Sequence, residues 1–339
     1  MFSLIELIIF LLVILLAAQI FTNALEHLGQ WLKISEGVTG SLFAAVGTAL
    51  PEAIIPVLAV VNSTTNQQVN HDISIGAILG APLMLSTITC GLMALFACKK
   101  RKWSGVLRPE STGFKRDIDY FLCSYILATV AMFLPTQIGT LNLRGFVLLL
   151  LVGMYFIYLL ITLKASKNLV EIGHGTTAEH PMYLTRLGLP VNTVSISLQL
   201  FIGLIVLIWG AGCFIDSIAT ISELFHISPL LLSLFIIPIA TELPEKINSI
   251  LWIQRGKDTL AFGNITGAMV FQGSLLPAVG IALTPWRASQ EILLSIAITL
   301  FAAFWLRYLA MRHHEIKIWH LFCNGGLYVV YLAIAFLLA

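Results

Sequence analysis

Long apolar runs alternate with short polar connections along the whole chain. Ten apolar segments stand out, at about 4–24, 37–62, 73–98, 119–136, 143–164, 195–216, 228–253, 258–283, 290–311 and 318–338. A bilayer-crossing α-helix needs roughly 20 residues at about 1.5 Å each, and each segment is close to that length. The pattern predicts an all-α integral membrane protein of ten transmembrane helices. The longest connections, 99–118 and 165–194, are too short to hold a soluble domain.

Composition sharpens this. The chain has 339 residues, of which 58% are hydrophobic and 11% charged, where about 25% charged is usual for soluble domains. Its mean hydropathy is +0.93. A soluble domain of this size needs more charge to cover its surface, and a disordered tail is excluded on the same ground. The first apolar run lacks a basic leader and a small-residue cleavage site, so it reads as a span rather than a signal peptide. No basic cluster is interleaved with aromatics, so no nucleic-acid surface is expected. Cys90, Cys98, Cys123, Cys213 and Cys323 are scattered, without metal-site spacing, and read as small apolar packing residues.

The net charge of +2 matters less than where the charges sit. With an outside N-terminus, 16 of the 19 Lys and Arg residues fall in cytoplasmic connections, while Arg144 and Arg287 lie outside and Lys246 lies within a span. The positive-inside rule therefore predicts that both termini are outside. Trp103, Trp286, Trp305 and Trp319, near span ends, read as interface anchors. Asp72 and Asp258, near the starts of spans 3 and 8, read as helix caps. Glu171, His174, Glu179 and His180 read as a solvated cytoplasmic loop.

Two segments interrupt the apolar pattern in the same way. One reads Gly47-Thr48-Ala49-Leu50-Pro51-Glu52, the other Ala240-Thr241-Glu242-Leu243-Pro244-Glu245. Each is followed by a G-x-I-x-G-A segment, Gly76–Ala81 in the first case and Gly263–Ala268 in the second. The copies are five spans apart. An odd number of crossings reverses the chain, so they traverse the membrane in opposite senses, the inverted repeat of secondary transporters. The expected organisation is a first five-helix half at 1–164 (repeat motif 37–98), a cytoplasmic connecting loop at 165–194, and a second five-helix half at 195–339 (repeat motif 228–283).

The repeated motif has a physical meaning. Proline inside a span removes a backbone donor, so Pro51 and Pro244 are expected to break helices 2 and 7 and free carbonyls near Ala45–Thr48 and Pro238–Thr241. Such groups are tolerated at membrane depth only where they face protein or a wet cavity. Glu52 and Glu245, near mid-span, should face the bundle interior. Two converging carboxylates repel unless a cation lies between them or one takes a proton. Hard oxygen donors of this kind suit Ca²⁺ or Na⁺. Thr48 and Thr241 can add hydroxyl or carbonyl oxygens, and Asn264 an amide oxygen. Gly76, Gly80, Gly263 and Gly267 read as helix-packing glycines.

With these motifs the chain resembles the Ca²⁺:cation antiporter superfamily, specifically the prokaryotic sodium/calcium exchangers, which carry G-T-S-x-P-E in both repeats and a G-N/D-x-x-G-S/A segment after each. The resemblance implies that Glu52 and Glu245 are the main Ca²⁺ ligands and that Thr48, Thr241 and Asn264 are lesser ones. It also implies alternating access in which spans 1 and 6 slide against a fixed core, and a multi-pass protein of a prokaryotic cell membrane. This chain departs from the pattern at Ala49, Ala77, Asn264, Glu242 and Lys246. Glu242 and Lys246 have the i, i+4 spacing of a helical ion pair; Glu242 is alternatively an ion- or proton-carrying group, and it completes the metal set with Thr48, Glu52, Thr241, Glu245 and Asn264.

The expected function is Na⁺/Ca²⁺ antiport, with H⁺/Ca²⁺ antiport or a non-transporting cation-binding membrane protein as alternatives. No HExxH, GxSxG or paired His/Asp set lies at membrane depth, so neither an enzyme nor a cofactor beyond the transported ions is expected. Membrane lipid is the expected surroundings, and the oligomeric state is left open.

Overall fold

The computed structural model describes residues 2–31, 45–61, 67–138, 141–170, 180–312 and 315–338. The described residues form eleven α-helices: α1 (Phe2–Trp31), α2 (Ala45–Val61), α3 (Gln67–Arg101), α4 (Ser111–Phe133), α5 (Leu143–Val170), α6 (Thr193–Phe225), α7 (Pro229–Thr241), α8 (Leu243–Gln254), α9 (Asp258–Leu283), α10 (Gln290–Arg312) and α11 (Ile318–Leu338). Two short antiparallel strand pairs, Val106–Leu107 with Ile316–Lys317 and Gln137–Ile138 with Leu141–Asn142, close connections at the helix ends.

Among the described residues seven helices are long and apolar enough to cross a membrane: α1, α3, α5, α6, α9, α10 and α11. The segment Glu52–Val61 of α2 and the segment Pro229–Ile239 of α7 are apolar but shorter. α4 begins with Lys115, Arg116, Asp117 and Asp119 before its apolar stretch. The expected segments 258–283 and 318–338 coincide with α9 and α11. α5 runs six residues into the expected connecting loop, to Val170, and a 3₁₀ turn at Tyr183–Leu187 precedes α6. Glu171, His174 and Glu179 lie outside the described residues.

Burial separates central helices from peripheral ones. The most apolar stretch of α3 is 78% buried and that of α9 67%, against 18% for α1 and 17% for α5. The peripheral faces carry exposed Leu, Ile and Phe, such as Leu16, Leu149 and Phe201, as lipid contact requires. The larger core gathers side chains of α3, α4, α5, α7, α9, α10 and α11. A smaller one joins α1 and α6 to one face of α2, α3 and α7.

Helix ends follow capping chemistry. The Glu110 carboxylate accepts from the Thr112 and Gly113 N–H groups at 2.7 and 2.6 Å and starts α4. Asn192 caps α6 by accepting from Ser195 N at 2.9 Å. Gly256, at φ +79°, turns the chain from α8 into α9.

Three expectations are corrected here. Helix 2 is not broken: α2 runs without interruption from Ala45 through Pro51 to Val61. The bond that Pro51 cannot make would have ended on Gly47, in the first turn, so its loss leaves the rest of the ladder intact. Trp286 is no interface anchor; it is fully buried, and its indole N–H donates to the Ala128 carbonyl at 3.0 Å. Asp258 does not cap α9 with its side chain. It binds Arg101 at 2.5 and 2.8 Å and accepts from the Arg108 N–H at 2.8 Å. Arg101 also donates to the Ile253 carbonyl at 3.0 Å, which fastens the end of α3 to the end of α8 and the start of α9.

Candidate functional site

Segment 7 is broken, and the break builds the site. α7 ends at Thr241, Glu242 stands alone with φ −82° and ψ 2°, and α8 starts at Leu243 with Pro244 in its first turn. Proline favours that place because its missing N–H falls where no intrahelical acceptor exists. Glu245 follows in the same first turn, at the positive end of the α8 dipole.

Glu52 from α2, Glu242 from the break and Glu245 from α8 converge. One carboxylate oxygen of each lies within 4.8 Å of the other two. The three residues are 3%, 0% and 2% exposed. Like charges at this range repel strongly in a low-dielectric interior. The chain answers with Gln272 of α9, which is fully buried and whose Nε2 donates to Glu52 Oε2 at 3.0 Å and to Glu242 Oε1 at 2.6 Å. Glu52 Oε1, Glu242 Oε2 and Gln272 Oε1 remain buried without a hydrogen-bond donor. Buried oxygens that lack donors are atoms that a hard cation could coordinate.

The other expected ligands take different positions. Thr241 is buried beside Glu242, and its hydroxyl donates to the Ile237 carbonyl at 3.1 Å. Asn264 directs its amide nitrogen to the Glu245 carbonyl at 3.2 Å and to Ser249 Oγ at 3.0 Å, so it braces α8 against α9. Thr48 lies in α2, and its side chain is outside those described. The Pro238 carbonyl, expected to be free, accepts the Glu242 N–H at 3.2 Å and Lys246 Nζ at 3.0 Å. Lys246 is 6% exposed, lies 3.5 Å from Met84 Sδ, and makes no ion pair with Glu242. Glu242 is the N-cap of α8 and its carbonyl accepts the Lys246 N–H at 3.0 Å, but the Lys246 side chain turns back to the Pro238 carbonyl instead of to the Glu242 carboxylate.

Gln272 is the residue that motif reading missed. The available signal was an amide in the middle of the apolar run Met269–Pro277, a placement that demands a partner.

The packing glycines are unequal. A Cβ on Gly80 would lie 2.5 Å from the Leu234 carbonyl oxygen and 2.6 Å from Pro238 Cγ, so α3 and α7 meet almost backbone to backbone beside the break. Gly263 has nothing within 4 Å of such a Cβ.

Known proteins share this architecture. CaxA of Alkalimonas amylolytica is 27% identical over 286 residues, covering 81% of this chain and 79% of that one. The solved H⁺/Ca²⁺ exchanger CAX superposes with a TM-score of 0.72 at 17% identity, over 98% of this chain and 82% of its own. The sodium–calcium exchanger NCX_Mj does so at 0.59 and 21% identity, over 98% of both chains. A family model described as sodium/calcium exchanger protein matches residues 2–164 and 196–337. The chain thus belongs to the sodium/calcium exchanger protein family.

Proposed function

We propose that the protein is a secondary active antiporter that moves Ca²⁺ across the membrane in exchange for Na⁺, by alternating access around the Glu52–Glu242–Glu245 cage. The observation that carries this reading is the convergence of three buried carboxylates within 4.8 Å at a helix break. Such a cage binds a divalent cation or its charge equivalent in monovalent cations, and the two compete for the same oxygens. Glu52 and Glu245 act as the main ligands, with Glu242 as the third acid and Gln272 Oε1, Thr241 and Asn264 as neutral oxygen donors. Thr48 contributes from α2.

The reading includes ten spans in two inverted halves, with both termini outside. The shared motifs and the odd number of segments between them support the inversion. α1 and α6, which lie against each other in the smaller core, are the moving pair.

Proton coupling is the second reading, and one observation favours it. Glu52 and Glu242 face one amide nitrogen and each retains an oxygen without a donor. Close carboxylates of this kind relieve their repulsion by taking a proton.

Calcium-45 flux into proteoliposomes under separate Na⁺ and H⁺ gradients tests both. Uptake driven by an outward Na⁺ gradient, and lost in Glu52→Gln and Glu245→Gln, is the expected result. Uptake driven by a pH gradient without Na⁺ replaces the first reading by the second. Normal flux in both variants overturns the site.

A further inference from the structure

Lys246 puts a positive charge of the chain's own beside the acidic cage. It follows Glu245 directly, and its Nζ occupies the Pro238 carbonyl at 3.0 Å, on the far side of the break from its own helix. Its backbone N–H donates to the Glu242 carbonyl at 3.0 Å, so the lysine is rooted between two of the three cage acids. A backbone carbonyl at a helix break, beside carboxylates, is a coordination position for a monovalent cation. Here an ammonium group tethered to the chain fills it, and the thioether of Met84 at 3.5 Å closes the other side. Neither of those two contacts is an acid, whereas Arg101 is paired directly with Asp258, so the acids that the ammonium offsets are those of the cage.

We propose that Lys246 is a built-in monovalent cation of the exchange site, one that repels an entering divalent ion and takes the part of one coupling cation. The inference rests on the proposed cage. Three carboxylates and one ammonium leave two formal negative charges, which one divalent or two monovalent cations balance. Without the ammonium, a third monovalent cation is needed. Lys246 therefore fixes the exchange at two monovalent cations per divalent ion and makes it electrically silent. A purely structural lysine, holding the break together through Pro238, makes the opposite prediction: its loss loosens the cage and weakens divalent binding.

Calorimetric titration of the purified full-length protein in detergent, with Ca²⁺ in a choline buffer, separates the two. Lys246→Gln keeps an N–H donor for the Pro238 carbonyl and removes the charge; Lys246→Met removes both. Either variant is expected to bind Ca²⁺ roughly tenfold more tightly than the wild type. Competition by Na⁺ or by the coupling cation steepens from about two ions per Ca²⁺ to about three in both variants. Unchanged or weaker Ca²⁺ binding in Lys246→Gln overturns the proposal, as does an unchanged competition slope. Glu52→Gln serves as the reference. If it binds Ca²⁺ like the wild type, the cage reading itself fails; if it loses binding while Lys246→Gln matches the wild type, only the role of Lys246 fails.

Discussion

Gln272 holds Glu52 and Glu242 through a single amide nitrogen, with bonds of 3.0 and 2.6 Å. Removing that donor leaves two buried acids facing each other. Stranding a buried polar group costs about 1–3 kcal/mol, so Gln272→Leu is expected to lower stability by about 2 kcal/mol in cation-free buffer. Added Ca²⁺ should recover more of the loss than it adds to the wild type, as thermal unfolding in detergent would record. Glu110 offers a simpler case outside the apolar segments. Partial burial pushes its pKa up, but the Gly113 and Thr112 N–H groups outweigh burial and hold it below the ordinary carboxylate value. A lowered folded pKa means the contribution is present above the unfolded value and lost as pH falls through the folded one. Glu110→Ala is therefore expected to cost about 1 kcal/mol near pH 7, with the gap to the wild type closing below about pH 4. At this scale the sequence was readable where a motif repeats and unreadable where a residue stands alone. The paired T-x-L-P-E segments made Glu52, Glu242 and Glu245 conspicuous. Gln272 has no such mark, because a lone amide in an apolar run carries no spacing to read.

Among the elements, α3 and α7 approach closely beside the break. A side chain on Gly80 meets the Leu234 carbonyl and Pro238, and backbone cannot step aside as a flexible side chain can. Gly80→Val should destabilise by about 1–3 kcal/mol and lower Ca²⁺ affinity through the displaced break. Gly263→Ala should leave both unchanged, and paired thermal and binding measurements make the comparison. Arg101 anchors the far end of the same assembly. Arg101→Ala leaves the mostly buried Asp258 carboxylate with the Arg108 N–H as its remaining hydrogen-bond donor. A buried pair costs about 3–5 kcal/mol to break, and since Arg101 is 21% exposed on its side chain, about 2 kcal/mol is expected from the same unfolding assay. Hydropathy located α9 to the residue because polar connections bound it on both sides, and it placed the start of α11 because a charged stretch precedes it. It misjudged α2, where one proline was expected to end a helix that other bonds sustain. It misplaced Trp286 and Asp258 because proximity to a span end is shared by lipid anchors, caps and buried clamps alike; only the neighbours from distant segments tell them apart.

Across the whole molecule, the described part of the connection between α5 and α6 is tied to α1 and α6. Asn23 accepts from the Tyr183 N–H at 3.2 Å, while Gln199 donates to Asn23 Oδ1 and to the Ile20 carbonyl at 2.9 Å each and accepts from the Leu184 N–H at 3.0 Å. Gln199→Leu is expected to speed amide hydrogen exchange at 182–187 while leaving Ca²⁺ affinity at the wild-type value. No hydropathy scan shows this clasp, since Ile20 and Asn23 lie about 160–180 residues from Tyr183 and Gln199. The cage itself draws unequally on the chain, one acid from α2 and two from the α7–α8 joint, with the ammonium on the same side as the pair. A molecule rebuilt from two copies of its early portion would own two acids and no fixed cation; one rebuilt from two copies of its late portion would own four acids and two cations. Neither duplicate reproduces the mixture, so the descendants of any ancestral doubling have become complementary partners that cannot stand in for each other.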